Sequence, residues 1–315
     1  LEVNLTNLVH NLNVYTKMLQ PGVKTMAMVK AEGYGSGSAE VAKLLEFHRV
    51  DYLGVAYADE GIALRNAGIR VPILVLNPER SSFDAMYRYR LEPEVYSLRV
   101  LHELLEYAGR DKQLAIHLKI DTGMHRLGFE RQDLPELCAL LPAHPNLHVQ
   151  SVFSHLSASD NTAHDPFTHQ QAGTFLNMYA ELQTALGYAP LRHICNTGGI
   201  ERFPEYHFDM VRLGIGLYGI GGEKVQADLR TVNVLKATIS QIKTVPAGDS
   251  VGYNRNSGLL HQPIRIATIS VGYADGFLRL AGGGRYQVLV RGKKAPTVGN
   301  VCMDMCMIDI TEIPE

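Results

Sequence analysis

Apolar residues recur along this chain at two spacings. Short, mainly apolar runs stand at 25–30 (TMAMVK), 52–56 (YLGVA), 72–76 (PILVL), 91–96 (LEPEVY), 115–120 (AIHLKI), 147–155 (LHVQSVFSH), 191–196 (LRHICN) and 208–214 (FDMVRLG). Runs of this length predict strands. Between them the apolar positions repeat every three or four residues, as in SAEVAKLLEFH, DEGIALRNAG, VLHELLEYAGR, DLPELCALL and QQAGTFLNMYAELQTALG. That spacing predicts amphipathic helices, and Gly or Pro stands near several of their ends. Eight such pairs over residues 1–224 predict an α/β fold, a TIM (β/α)8 barrel. In that architecture functional side chains gather where the strands end, at the C-terminal mouth.

From residue 225 the helical spacing disappears. TVNVLKATISQIKTVPAG, IRIATISVGYADG, YQVLVRGKKAPTVG and VCMDMCMIDI follow one another with Gly and Pro between them, the pattern of an antiparallel sheet. Residues 225–315 are therefore expected to form a mostly antiparallel β-domain, C-terminally truncated because the chain stops just after a strand. The start, LEVNLTNLVHNL, has no Met and no basic-then-apolar leader.

Composition narrows the partners. With 46% apolar and 20% charged residues, this is an ordinary globular mixture, and 315 residues are enough for two domains. A formal net charge of -2 supplies no global field for nucleic acid or an anionic membrane, so a small anionic ligand needs a local site. No run reaches the roughly 18 consecutive apolar residues that suggest a membrane helix. Cys138, Cys195, Cys302 and Cys306 lack the spacing of a disulfide scaffold and are read as free thiols of a cytoplasmic protein.

The predicted strand ends carry the candidate chemistry. Lys30 closes the first strand, with Tyr34 and glycines at 33, 35 and 37 beyond it. A desolvated lysine there can shed its charge and attack an aldehyde, whereas a lysine snorkelling to water is the plainer alternative. HLKIDTGMHRLGF presents Lys119 and Arg126 after the fifth strand, where Arg126 can clamp a carboxylate or join a surface network with Asp121. His155 ends the sixth strand, Asn196 and Thr197 follow the seventh, and Arg212 with the turn at Gly214 and Ile215 ends the eighth. A hydroxyl and backbone N–H groups at these last two loops suit a phosphate. No metal is expected: His155, His164 and His169 with Asp160 and Asp165 match no ligand spacing, and Cys302 and Cys306 alternate with Met303 and Met305 as core residues of a strand do.

This set, with VGY at 251–253, GYADG at 272–276 and CMD at 302–304, resembles the alanine racemases over nearly the whole chain. VKAEGYGSGS, NPERSSF and LEPEVYS are most similar to the racemase half of a Bacteroidetes-type fusion in which a MurF-like ligase precedes the racemase. The resemblance implies pyridoxal 5'-phosphate as cofactor and two-base racemisation of L-alanine and D-alanine, supplying D-alanine for peptidoglycan. It also implies a homodimer with shared active sites. Lys30 is then similar to the lysine that holds the cofactor and acts as one base, and Tyr253 to the opposite base, contributed by the other subunit. Arg212 resembles the arginine facing the pyridine nitrogen and His155 the histidine bonded to it, while Tyr34, Asn196, Thr197, Gly214 and Ile215 fall at cofactor positions. Arg126 and Lys119, the latter a carbamylation candidate, join Tyr273, Met303 and Asp304 on the substrate side.

This chain departs from the family's usual pattern at Ser36, where histidine is common, at Asn254, where glycine is frequent, and at Thr197, where serine is common. A family tyrosine near the C-terminus has no counterpart before the chain stops. Other readings are a serine or broad-specificity racemase, a decarboxylase of the same fold, and a non-catalytic barrel that binds pyridoxal phosphate. The decarboxylases place a glutamate where Arg212 stands, and the carrier proteins lack the β-domain.

Overall fold

The computed structural model describes residues 1–314 and divides into two units, Val3–Val234 and a second that runs from Leu235 onward and includes Leu1–Glu2. The first alternates helices and strands in the order α1 (Leu5–Thr16), β1 (Lys24–Met28), α2 (Ser38–Phe47), β2 (Tyr52–Val55), α3 (Ala58–Asn66), β3 (Ile73–Val75), α4 (Phe83–Arg88) and β4 (Glu92–Val95). It continues through α5 (Leu98–Ala108), β5 (Leu114–Lys119), α6 (Leu134–Ala143), β6 (Leu147–Phe153), α7 (Asp165–Leu186), β7 (Leu191–His193), α8 (Thr197–Arg202) and β8 (Met210–Leu213). The eight strands are parallel and lie in the order β7-β6-β5-β4-β3-β2-β1-β8. Two backbone bonds close the gap between β7 and β8: Asp209 N–H donates to Arg192 O (3.2 Å) and Arg212 N–H to Cys195 O (3.0 Å). The result is the TIM barrel that the alternating pattern predicts.

Strand pleating separates two apolar regions. Ala27, Leu53, Val55, Ile73, Val75, Ile116, Val152 and Val211 face the helices and join the main core. Their alternates Met26, Met28, Tyr52, Leu74, Phe153 and Met210 form a second cluster that draws on strands around the ring and on no buried helix residue, which places it inside the barrel. The rest of that inner wall is polar: Glu94, His117, Lys119, Ser151, His193 and Arg212 are all buried. A TIM-barrel interior is ordinarily layered with branched apolar residues. Here β4 to β8 put polar groups in the same layers, all but Ser151 of them titratable.

Asn11 of α1 ties down the chain that leaves the barrel. Fully buried, it donates through Nδ2 to Leu217 O (3.1 Å) and Arg230 O (2.8 Å) and accepts from Arg230 N–H (2.8 Å).

The second unit is an antiparallel sheet of β9 (Ile239–Val245), β10 (Ile264–Ile269), β11 (Gln287–Val290), β12 (Lys293–Val298) and β13 (Cys306–Asp309), in the order β9-β10-β13-β12-β11. Arg291 and Gly292, both at positive φ (51° and 76°), form the two-residue turn between β11 and β12. This is the turn geometry whose twist suits a hairpin. Ala267, Ile269, Ala295, Cys306 and Ile308 lead its core. Among the described residues no helix is long and apolar enough to cross a membrane.

Asn11→Ala removes the three hydrogen bonds of a buried side chain and leaves the Arg230 N–H without its acceptor. It is expected to cost about 2–3 kcal/mol, read as a lower urea midpoint at unchanged slope. A loss below about 0.5 kcal/mol would mean that the 217–230 segment is held elsewhere.

Candidate functional site

The backbone does something costly directly after β1. Lys30–Gly35 wind as a single turn in which Ala31, Glu32, Gly33 and Tyr34 all have φ between 52° and 61°, the left-handed region. For each of the three non-glycine residues this conformation costs roughly 1–2 kcal/mol. Glu60 of α3 holds the turn by accepting from Ala31 N–H (2.6 Å) and Ala56 N–H (2.6 Å). Glu32 closes the far side, its carbonyl accepting from Gly37 N–H (3.0 Å) and its carboxylate from Ser38 N–H (3.1 Å). The reversal stacks Tyr34 on Tyr218, with ring centroids 4.5 Å apart. Gly214 leaves room for the Tyr34 hydroxyl, because a Cβ there would stand 2.9 Å from that oxygen.

Lys30 and Tyr34 open onto a cavity of about 570 Å³ in the barrel unit, a volume typical of small-ligand sites. Lys119, Arg126, His155, Asn196, Thr197, Arg212, Gly214 and Ile215 also line it. Thr197 Oγ1 ties the last two loops together, accepting from Gly214 N–H and Gly216 N–H at 3.4 Å each. The Asn196 amide is occupied as a helix cap: Oδ1 accepts from Gly199 N–H (3.0 Å) and Ser159 Oγ–H (2.6 Å), and Nδ2 donates to Leu156 O (3.1 Å). It shapes the loop through Oδ1 and one of its two Nδ2 hydrogens. Every lining residue belongs to the barrel unit. Tyr253, Tyr273, Met303 and Asp304 belong to the other unit, where each is exposed.

Charge at the buried end of the cavity is mainly positive. Arg212 is wholly within the protein, yet its side chain contacts only neutral acceptors. Nη1 donates to His193 Nδ1 (2.7 Å) and His193 O (3.2 Å); Nη2 donates to Ser154 O (2.6 Å), Ile194 O (3.1 Å) and His155 Nδ1 (3.3 Å). Burial lowers its pKa to about 10, which still leaves it a cation at neutral pH. Burial and then Arg212 hold His155 and His193 well below the ordinary imidazole range, so both are neutral and can accept from the guanidinium. Burial followed by Arg126 draws Lys30 down from the usual ammonium range, toward the nucleophilic form.

Glu94 supplies the deepest negative charge. It is fully buried, Lys119 Nζ lies 3.2 Å from its Oε1, and neither carboxylate oxygen has a well-directed hydrogen bond among the described residues. Burial raises this carboxyl to about 7, against the pull of Lys119, Arg212 and Arg126. The same burial lowers Lys119. Neither Glu94 nor His193 was singled out by the sequence reading. The signal available for both was a polar residue at an inward position of a predicted strand, in EPEV and LRHICN.

The other polar clusters have structural partners. Asp165 accepts from Arg202 (2.7 Å) and His169 bonds Tyr206 (2.7 Å). Among the described residues no group of three or more His, Cys, Asp or Glu side chains is arranged to hold a metal ion.

Comparison with known proteins adds a family. Residues 3–221 match the model described as alanine racemase, N-terminal domain, and residues 232–315 that described as alanine racemase, C-terminal domain. The alanine racemase of Desulfovibrio desulfuricans is 35% identical over 323 residues, covering 100% of this chain and 85% of that protein. Alanine racemase 2 of Caldanaerobacter subterraneus is 38% identical over 319 residues, covering 99% and 81%. Among solved structures, alanine racemase from Clostridium difficile 630 superposes with a TM-score of 0.92 at 34% identity, covering 100% of this chain and 83% of that one. That from a D-cycloserine-producing Streptomyces lavendulae gives 0.90 at 30% identity, covering 100% and 84%.

The raised Glu94 carboxyl has a testable consequence. Its folded value lies above its unfolded one, so it adds no pH dependence below the ordinary carboxyl range and costs stability progressively as pH rises from there to about 7. Infrared difference spectra are expected to show a protonated-carboxyl band at pH 6 that fades by pH 8 and is missing in Glu94→Gln. A band already lost at pH 5 would mean that Lys119 keeps Glu94 ionised.

Proposed function

The chain belongs to the alanine racemase family and racemises alanine with pyridoxal 5'-phosphate, and from that premise we propose a two-base division of labour between Lys30 and Tyr253. The observation that carries the proposal is the barrel cavity, where a half-buried lysine of lowered proton affinity faces the same space as Arg212. The residues present fit the cofactor. Lys30 offers an amine to its aldehyde, and the space beside Gly214 that a Cβ would fill lies against Tyr34 at the loops suited to a phosphate. When bound, the cofactor supplies the sink for the electrons left behind as the alanine Cα proton departs.

The chain's own groups then divide the remaining work. Lys30 holds the cofactor and exchanges a proton on one face of the substrate. Tyr253 exchanges it on the other. Tyr34, Thr197, Gly214 and Ile215 bind the phosphate, with Asn196 shaping their loop. Arg212 would meet the pyridine nitrogen; as a group with donors only, it has no lone pair to offer and keeps its own charge there. His155 braces Arg212 as a neutral acceptor. Arg126, aided by Lys119, takes the substrate carboxylate, with Tyr273, Met303 and Asp304 around the amino acid.

Tyr253 is 69% exposed and lies in a different unit from Lys30, which supports its delivery to the site of a second copy in a homodimer. The exposed Leu235, Ile239 and Ile242 at and beside β9 favour the same assembly. The product D-alanine fits a cytoplasmic supply for peptidoglycan. The segments VKAEGYGSGS, NPERSSF and LEPEVYS support a place in a fusion with a MurF-like ligase, which the sequence of the encoding gene would settle.

Lys30→Ala is expected to abolish the absorbance of the protein-bound cofactor together with racemisation; survival of that absorbance would assign its attachment to another lysine. Tyr253→Phe is expected to keep the absorbance and to lower kcat by about 10²–10⁴-fold. In deuterated water this variant should still exchange the α-proton of one enantiomer and fail with the other. Equal exchange from both enantiomers would leave a single base serving both faces.

A further inference from the structure

One polar layer inside the barrel is not used by the reading above. Glu92 begins β4, and its Oε2 lies 2.7 Å from His117 Nε2 on β5. His117 Nδ1 is 2.6 Å from Ser151 Oγ on β6, and that oxygen is 2.8 Å from His193 Nε2 on β7. His193 Nδ1 receives Arg212 Nη1 of β8 at 2.7 Å. The side chains of His117, Ser151 and His193 are fully buried. Five consecutive strands thus contribute one residue each to an unbroken hydrogen-bonded chain.

The two ends dictate its direction. A guanidinium can only donate, so His193 Nδ1 must accept and its proton must sit on Nε2. A carboxylate can only accept, so His117 Nε2 must carry a proton. Ser151 joins the halves by accepting from His193 and donating to His117. Were His117 doubly protonated, both imidazoles would donate to Ser151 Oγ. Its hydroxyl proton would then lack an acceptor, because no third partner of that oxygen occurs among the described residues. A buried donor left in that state is costly. Every bond therefore points from Arg212 toward Glu92, and each polarises the next in the same sense.

We propose that Glu92 is a positioning residue for racemisation, setting the orientation and effective charge of Arg212 through His117, Ser151 and His193. The proposal rests on the role given to Arg212 above. It links a guanidinium with no carboxylate in contact to one at the far end of the relay, where the Glu92 side chain retains 19% of its exposure, in addition to the through-space charge of Glu94. Glu92 is not among the residues that line the cavity.

The first measurement is on the cofactor-free protein, by long-range proton–nitrogen correlation spectra of the imidazoles, assigned with His117→Gln and His193→Gln. Both rings are expected as neutral Nε2–H tautomers at pH 7; an Nδ1–H tautomer at either, or an imidazolium at His117, would overturn the relay. The second is kinetic, on the cofactor-loaded enzyme. Glu92→Leu is expected to lower kcat about tenfold or more, as loss of a supporting partner commonly does, with KM altered less than about threefold. Glu92→Gln, which keeps an acceptor, should recover most of the loss. Ser151→Ala should cost as much as Glu92→Leu, and the double variant no more than either alone; additive losses would overturn transmission through Ser151. Arg212→Lys separates the two readings. If it leaves the bound-cofactor absorbance and kcat unaltered, the role given to Arg212 fails; if it impairs both while the imidazoles show the other tautomer, the relay alone fails.

Discussion

Burying a guanidinium without an ionic partner is the constraint around which the inner barrel is organised. Arg212 satisfies its donors with three carbonyls and two imidazoles, which requires those rings to stay neutral and to turn a lone pair inward. Phe153 contributes a further neutral contact, its ring centroid 5.2 Å from the guanidinium carbon and stacked on His193. Such contacts favour the cation without neutralising it. A carboxylate placed directly against Arg212 would hold it more firmly, at the cost of cancelling much of the field it presents to the cavity.

Lys30 is placed by a different kind of constraint. Its strand ends into a turn of the wrong hand, and that strain is absorbed by backbone hydrogen bonds that Glu60 and Glu32 accept. Strained backbone of this kind persists where surrounding structure over-determines it, and it clusters at functional sites. The immediate effect is to bring Tyr34 back beside the strand that Lys30 has just left, with Gly214 leaving the space it needs. Turn, lysine and tyrosine are thus one unit, anchored by a carboxylate on the neighbouring helix.

The barrel was legible because its strands and helices differ in apolar period, and that difference survives in a single sequence. So was the antiparallel sheet, although YQVLVRGKKAPTVG, read as one run, holds two strands joined by a hairpin at Arg291 and Gly292. The mouth of the cavity was readable from the residues that end each strand. Its floor was not. Treating a buried strand as apolar core passes over Glu94, His117, Ser151 and His193, although EPEV puts Glu94 two residues from Glu92 and AIHLK puts His117 two residues from Lys119, on one face of each strand. The turn was illegible for another reason: Ala31, Glu32 and Tyr34 seldom adopt positive φ, and only Gly33 hinted at it. Asn196 lines the cavity and also caps α8, a second task that a polar residue at a strand end does not announce.

The local charge resolves what the whole chain leaves open. A protein of formal net charge -2 offers an anion no general attraction. Yet Lys30, Lys119, Arg126 and Arg212 converge on one cavity, where the acidic lining residues are Asp160 and Glu201 and Glu201 is already engaged with the Tyr15 hydroxyl. Glu94 beneath them is pushed by its burial toward the protonated form, so it offsets that charge only in part. Low-dielectric walls concentrate such a field at the strand ends. An anionic ligand entering there replaces lost hydration with fixed positive charge, and a ligand set carrying both a phosphate and a carboxylate balances the cavity better than either group alone. The local gathering of cations, which the net charge of the whole chain conceals, is therefore the feature that selects for its ligands.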